Sequence, residues 1–341
     1  MGAGGDSSFD LGELMKIGVM IFATDQTIPL HVLAPEVEAR GIESLWVTEK
    51  THVPVRRSTP WPGGDLPECY QRTCDPFVAL AGAAATTTTL RLGTGVALLT
   101  LRDPIIAAKE IATLDWMSGG RVELGVGYGW NVEEHASHGV ELGDAPSRLD
   151  EHLGLMQAIW SDSEASFTGQ YVTLQPSWSW PKPIQPGGPP LHVGARATDA
   201  VFADIARWDA GWLPIEGYGN VTDQLPRLRA AFTAAGRDTR DVRVSVYSSG
   251  GDPDLLAEYR DHGIDRTIVA LPAADADTVR YALDAVGPSD LSRGRASTAP
   301  DGHEKCVEGW TAPRNTGLTE FVPSPDVGAA AVPESRGQRL L

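Results

Sequence analysis

Short apolar runs that alternate with longer amphipathic ones recur along most of the chain, and this regular alternation is what most limits the folds open to it. The strand-like runs fall at residues 16–22, 44–48, 90–99, 122–127, 191–195, 211–215, 242–248 and 266–271. Helical patterns follow them at 28–41, 75–87, 104–117, 148–160, 199–208, 221–235, 252–263 and 275–286. Strands separated by whole helices pair in parallel through right-handed crossovers, and eight such units predict an α/β fold closed into a β/α barrel. An open doubly wound sheet is the structural alternative. Local signals support the helix boundaries. Asp75-Pro76, Asp103-Pro104 and Asp252-Pro253 each set an N-cap acid before a proline at the first helical position, and Gly41, Gly236 and Gly263 follow helix ends.

Two stretches interrupt the alternation. Residues 53–73, rich in Pro and Gly and carrying Trp61, extend a strand-to-helix loop, which in a barrel lies at the functional face and there forms a candidate lid or substrate wall. Residues 161–190 follow a helix, contain a short hairpin around residues 167–171, and are long enough to wrap the barrel's side. The barrel is therefore expected over residues 15–287, with an unstructured extension at 1–14 and a disordered tail of Ser, Gly, Pro, Arg and Asp at 288–341.

Charge and composition narrow the function. A net charge of -17 repels nucleic-acid phosphates and anionic lipid, and no apolar run reaches membrane-span length, so no nucleic-acid or membrane partner is expected. The first residues lack the basic start and apolar stretch of a signal peptide, and the expected location is the cytoplasm. Cys69, Cys74 and Cys306 form no paired framework. His135 and His138 lie three apart with no third ligand nearby; they read as solvated histidines, and no metal site is expected.

Functional groups of a parallel barrel stand where its strands end. Four groups qualify, one of them Gly93-Thr94-Gly95 within the third strand. Glu49, Lys50 and His52 follow the second strand and have the chemistry to polarise a ligand or to act as acid and base, although a solvated charged loop reads the same way. Gly127, Tyr128, Gly129, Trp130 and Asn131 follow the fourth, where glycines let backbone amides approach a ligand. Gly194, Ala195 and Arg196 follow the fifth and lead into a helix N-terminus, an arrangement suited to a phosphate. No Gly-x-Ser-x-Gly elbow is present, so a serine hydrolase of that type is a poor fit.

Several motifs in order carry a family resemblance. Glu38-Ala39-Arg40-Gly41-Ile42-Glu43-Ser44-Leu45-Trp46-Val47-Thr48-Glu49, then Leu92-Gly93-Thr94-Gly95-Val96, Asp103-Pro104, Ser118-Gly119-Gly120-Arg121 and Leu124-Gly125-Val126-Gly127-Tyr128-Gly129-Trp130-Asn131 resemble the luciferase-like monooxygenases and F420-dependent oxidoreductases. The resemblance implies a (β/α)8 TIM barrel of the bacterial luciferase-like type. It further implies a flavin or deazaflavin ring against the third strand at Thr94, Gly95 and Val96, a cis peptide between Gly95 and Val96, and a cofactor phosphate end near 127–131 and 194–196. The run through Trp130-Asn131 with Glu133-Glu134, and Asp209-Ala210-Gly211-Trp212, resemble the F420-using branch. The implied activity is hydride transfer between deazaflavin C5 and a small organic substrate, in a homodimer, with Trp61, Tyr128 and Trp130 walling the substrate pocket. The alternatives are an FMN-dependent monooxygenase served by a flavin reductase, and a non-catalytic flavin- or partner-binding barrel. Two positions depart from the family: Lys50 stands where a histidine is common, and Trp130 replaces a glutamate that serves as proton donor in sugar-phosphate dehydrogenases of the family.

Overall fold

A computed structural model of the chain describes residues 15–61 and 65–286. The extensions expected at 1–14 and 288–341, including Cys306, lie outside the described residues. The strands are β1 (Lys16–Ile21), β2 (Ser44–Val47), β3 (Arg91–Thr94), β4 (Val122–Val126), β5 (Ala165–Thr168), β6 (Thr173–Ser177), β7 (Leu191–Val193), β8 (Gly211–Trp212), β9 (Ser245–Ser249) and β10 (Arg266–Ala270). All but β5 and β6 form one parallel sheet in the order β8-β7-β4-β3-β2-β1-β10-β9. The two ends of that sheet meet. Trp212 N–H donates to the Arg243 carbonyl at 2.8 Å, Tyr247 N–H to Pro214 at 2.7 Å and Glu216 N–H to Tyr247 at 3.0 Å, joining β8 to β9 and closing the barrel. The open-sheet alternative is thereby removed.

The helices are α1 (Leu30–Ala39), α2 (Cys69–Arg72), α3 (Pro76–Thr86), α4 (Pro104–Ser118), α5 (Val132–Ser137), α6 (Ala145–Ser161), α7 (Asp199–Trp208), α8 (Leu225–Ala234), α9 (Pro253–Asp261) and α10 (Ala276–Asp284). Their starts follow the Asp-Pro signals: Asp75 accepts from Val78 N–H, Asp103 from Ile105 and Ile106, and Asp252 from Asp254 and Leu255. Gly41, Gly236 and Gly263 adopt φ of 72°, 72° and 74°, the left-handed conformation that a helix stop requires. The short α2 and α5 fall inside segments whose apolar pattern is too brief to show a period. The third strand ends at Thr94, earlier than the expected Leu99, because the chain turns at a cis peptide between Gly95 and Val96 before a single bridge from Ala97 to Val126.

Strand alternation sorts side chains into two cores. Val19, Ile21, Leu45, Val47, Leu92, Leu124 and Val126 pack outward against the helices, whereas Met20, Phe22, Trp46, Leu213, Tyr247 and Ile268 fill the interior. At the N-terminal end of the strands the interior is closed by charge. Glu123 accepts from His192 Nε2 at 2.5 Å and from Arg266 at 3.2 Å, and also pairs with Arg91; Arg266 reaches Glu43 at 2.7 Å and lies over the Trp46 ring. Burial works to raise the Glu123 carboxyl, but the His192 hydrogen bond and the two guanidinium groups outweigh it and hold the carboxyl well below the usual range.

The second insertion forms the expected hairpin, β5 with β6, lying against α6. Beyond it Lys109 of α4 donates to the Trp180 carbonyl at 2.5 Å, so this segment runs along the barrel's side.

Glu38 of α1 fixes the connection between α3 and β3. Its carboxylate accepts the N–H groups of Thr88, Thr89 and Leu90 at 2.8, 2.5 and 2.9 Å. Slight burial acts to raise its pKa, yet these three amides and the Thr89 hydroxyl lower it from 4.5 to about 2. A depressed folded pKa contributes stability above pH 4.5 that is lost as pH falls toward 2. Glu38→Gln is therefore expected to lose about 2 kcal/mol in urea unfolding at pH 7, with its deficit against wild type shrinking steadily between these two pH values.

Candidate functional site

Every strand C-terminus points to one mouth, so residues far apart in sequence meet there. Phe22 just past β1, Trp46 from β2, Leu213 and Ile215 after β8, Tyr247 from β9 and Ala270 from β10 form one apolar cluster with Val96 and Trp130. The first insertion folds over it: Trp61 and Tyr70 join the cluster, their rings 5.8 Å apart, and Tyr70 lies 4.9 Å from Phe22. Trp61 is buried at the site's rim, where the strand-to-helix loop was expected to form a wall.

The three residues that follow β2 share a position but not a role. Glu49 is buried and accepts from the Leu98 amide at 2.6 Å and from Arg102 Nε at 2.7 Å. Arg102 also reaches Asp75 and, at 3.2 Å, Glu110, and it covers the Phe77 ring. Burial pushes the Glu49 carboxyl up, against Arg102 and the amide. Its contacts tie the loop after β3 to the helical layer. Lys50 turns the other way and pairs with Glu134 of α5, both side chains buried, with its ammonium 4.8 Å from the Trp130 ring centre. Burial pushes the Lys50 ammonium down, with Glu134 opposing. His52 is exposed; its Nδ1 and Nε2 of His138 each lie 3.0 Å from the Thr51 hydroxyl oxygen, the two rings 5.4 Å apart. Burial and the neighbouring His52 push His138 down.

The glycine runs pack against the chain itself. A Cβ on Gly127 or Gly194 would lie 2.7 or 2.4 Å from a methyl of Val96, so this side chain sits between β4 and β7. Thr94 donates its hydroxyl to the Gly125 carbonyl at 2.7 Å. Gly129, at φ 78°, leaves room for His135, whose ring nitrogens approach the Asn131 and Tyr128 carbonyls at 2.9 and 3.1 Å. His135 is thus fully buried, in contrast to the solvated histidine expected, because the turn before α5 folds back over it. Asn131 is buried and its carboxamide oxygen caps α5 through the Glu134 amide at 2.9 Å. Tyr128 leaves the mouth altogether: its hydroxyl donates to Asp204 of α7 at 2.8 Å. After β7, Ala195 accepts from Trp212 Nε1 at 2.9 Å, and Arg196 is exposed over the Tyr218 ring without an ion pair among the described residues.

Three buried polar atoms around the mouth have no hydrogen-bond partner among the described residues: Thr48 Oγ1, Glu134 Oε1 and Tyr247 OH. Sequence reading missed Glu134 as the partner of Lys50 and Tyr247 as an interior group. The first was legible only as part of an acidic pair, and the second sits in an apolar strand with nothing to set it apart.

The sequence matches the family of luciferase-like monooxygenases over residues 24–286, and the chain belongs to that family. An uncharacterized protein of Mycobacterium tuberculosis is 40% identical over 267 residues, 77% of this chain and 94% of the relative. An F420-dependent glucose-6-phosphate dehydrogenase of Kineococcus radiotolerans is 30% identical over 237 residues, 66% of this chain and 65% of that one. Among solved structures, a monooxygenase from Streptomyces bottropensis superposes with a TM-score of 0.63 at 20% identity, covering 79% of this chain and 98% of its own. The barrel is of the luciferase-like type.

Breaking the Lys50–Glu134 pair from one side leaves a buried charge, whereas replacing both partners leaves none. Lys50→Met alone is expected to cost about 3 kcal/mol in chemical denaturation. The double variant Lys50→Met/Glu134→Leu is expected to return close to wild type; a double-variant loss equal to the sum of the two single-variant losses would show that the pair is not coupled.

Proposed function

We propose that this chain is an F420-dependent oxidoreductase that passes a hydride between the cofactor's C5 and a small organic substrate. The observation that carries the reading is the 30% identity to the Kineococcus enzyme, whose name specifies F420, over two thirds of the chain. The residues at the mouth fit such a group. Around the expected ring position, the Gly95–Val96 peptide, the Trp61 and Trp130 rings and an unpartnered oxygen of Glu134 surround an apolar interior. Toward the expected phosphate end, Arg196 offers a guanidinium with no ion pair among the described residues, next to the N-terminus of the ten-residue helix α7.

When bound, the deazaflavin supplies or accepts the hydride. The chain's part is to position and to exclude water. Trp61 and Tyr70 cover the mouth, the Lys50–Glu134 pair presents a polar edge to it, and His52 with His138 stands at the exposed rim. Glu49, held by Arg102 and the Leu98 amide, keeps the loop after β3 in place. The aromatic lining suits a moderately apolar substrate. We further propose a cytoplasmic homodimer. Its support is the exposed apolar surface of α3 and α4, where Val78, Ile106, Trp116 and Met117 are 74, 59, 57 and 50% exposed. Sedimentation should then give twice the chain mass, and Ile106→Glu should shift it to one.

Titration with F420 and separately with FMN, followed by cofactor fluorescence, tests the main reading. Tight binding of F420 alone is the expected result, with Arg196→Ala weakening it about tenfold and flattening its salt dependence. Preference for FMN would instead point to an oxygen-using monooxygenase supplied by a separate flavin reductase. Uptake of neither would leave a non-catalytic barrel.

A further inference from the structure

Two of the unpartnered buried atoms at the mouth are hydroxyls, and they flank the same backbone position. Gly95 N–H donates to the Val47 carbonyl at 2.7 Å, which places Thr48, the next residue of that chain segment, beside Gly95 across the β2–β3 pairing. Trp46 faces the barrel interior and Val47 the helices, so alternation turns Thr48 inward again. Tyr247 arrives from the far side. A Cβ built on Gly95 would come within 2.2 to 2.6 Å of the Tyr247 ring and hydroxyl, so the phenol end rests directly on the Gly95 α-carbon.

The backbone holds Tyr247 firmly there. Its N–H and carbonyl are both used in closing β8 against β9. The next residue, Ser248, has φ 59°, and the register with β10 slips there, a bulge after which pairing resumes with Ser249 opposite Val269. Thr48 is 6% and Tyr247 2% exposed, and neither hydroxyl has a partner among the described residues. Each such group is less stable than a bonded one, and a buried orphan calls for an explanation. Burial pushes the Tyr247 phenol up with nothing opposing it, so it stays a protonated donor.

We propose that Thr48 and Tyr247 form a two-hydroxyl receptor for a carbonyl oxygen of the ligand seated at the mouth. The inference rests on the reading of the mouth as a cofactor and substrate site. Two hydroxyl donors flanking Gly95, in an aromatic-walled interior, suit a ligand with a carbonyl edge better than a pure hydrocarbon. That oxygen belongs either to the cofactor's ring or to the substrate.

Tyr247→Phe and Thr48→Val each delete one hydroxyl and nearly preserve shape. In the ligand-free full chain both are expected to melt at or above the wild-type temperature, because no internal hydrogen bond is lost. A clear drop in either would reveal an internal partner and overturn the proposal. The same variants are then titrated with F420, with FMN, and, after loading with whichever cofactor binds, with acetophenone as a carbonyl probe. About tenfold weaker cofactor binding in both variants assigns the oxygen to the ring. Unchanged cofactor affinity with about tenfold weaker ketone binding assigns it to the substrate. Wild-type affinity for all three probes in both variants overturns the receptor. A wild-type chain that binds neither cofactor fails the proposed function instead, and the ketone titration on the cofactor-free chain then decides the receptor alone, with absence of ketone binding counting against it.

Discussion

The Glu123 carboxylate draws His192, Arg91 and Arg266 toward one point, and those four residues come from β4, β7, β3 and β10. A barrel interior excludes water, so the guanidinium groups of Arg91 and Arg266 stand there only with carboxylates at short range, Glu123 for both and Glu43 for Arg266 as well. The cluster also supplies a floor. With Trp46 edge-on to His192 at 5.5 Å and against Arg266, the lower half of the interior is filled, which leaves the C-terminal end of the strands for a ligand. The position of the site is thus set from below, by what the closed end cannot hold.

Above that floor the interior is shaped by matched large and small residues. Trp46 occupies the place a side chain at Gly93 would take, Tyr247 that of Gly95, and Val96 those of Gly127 and Gly194. Gly127 and Gly194 were read as part of a phosphate site, and the space where their side chains would stand is taken by Val96. Glycine in a strand signals that something approaches closely, but the residue type alone does not say whether the neighbour is ligand or protein. The distinction is decided by tertiary packing, which a single sequence does not encode locally.

What was legible follows from the same physics. Barrel closure was readable because each strand and helix carries its own period and its own stops, such as Asp103 before Pro104 and Gly263 after α9. The cis peptide at Gly95 was readable only through resemblance, since nothing in Gly-Val dictates it. Glu49, Lys50 and His52 were readable as a cluster by their place at a strand end, but not by their partners. Arg102, Glu134 and His138 lie 53, 84 and 87 residues away from Glu49, Lys50 and Thr51, and only the folded chain brings them in.

Those partners change what the mouth can do. Of the acids expected to be reactive there, Glu49 is held by a guanidinium and an amide, and Lys50 is spent on Glu134. An ion pair buried on both sides moves a proton only if both partners change charge together, so neither is a free acid or base in the resting chain. The remaining polar groups are hydroxyls, a single unpaired oxygen of Glu134, an exposed imidazole pair and Arg196. Hydroxyls and guanidinium orient a ligand well and titrate poorly, and the exposed His52–His138 pair lies next to Thr51 rather than in the apolar cluster. A mouth built in this way favours chemistry in which the ligand carries the reactive atoms and the protein fixes their geometry.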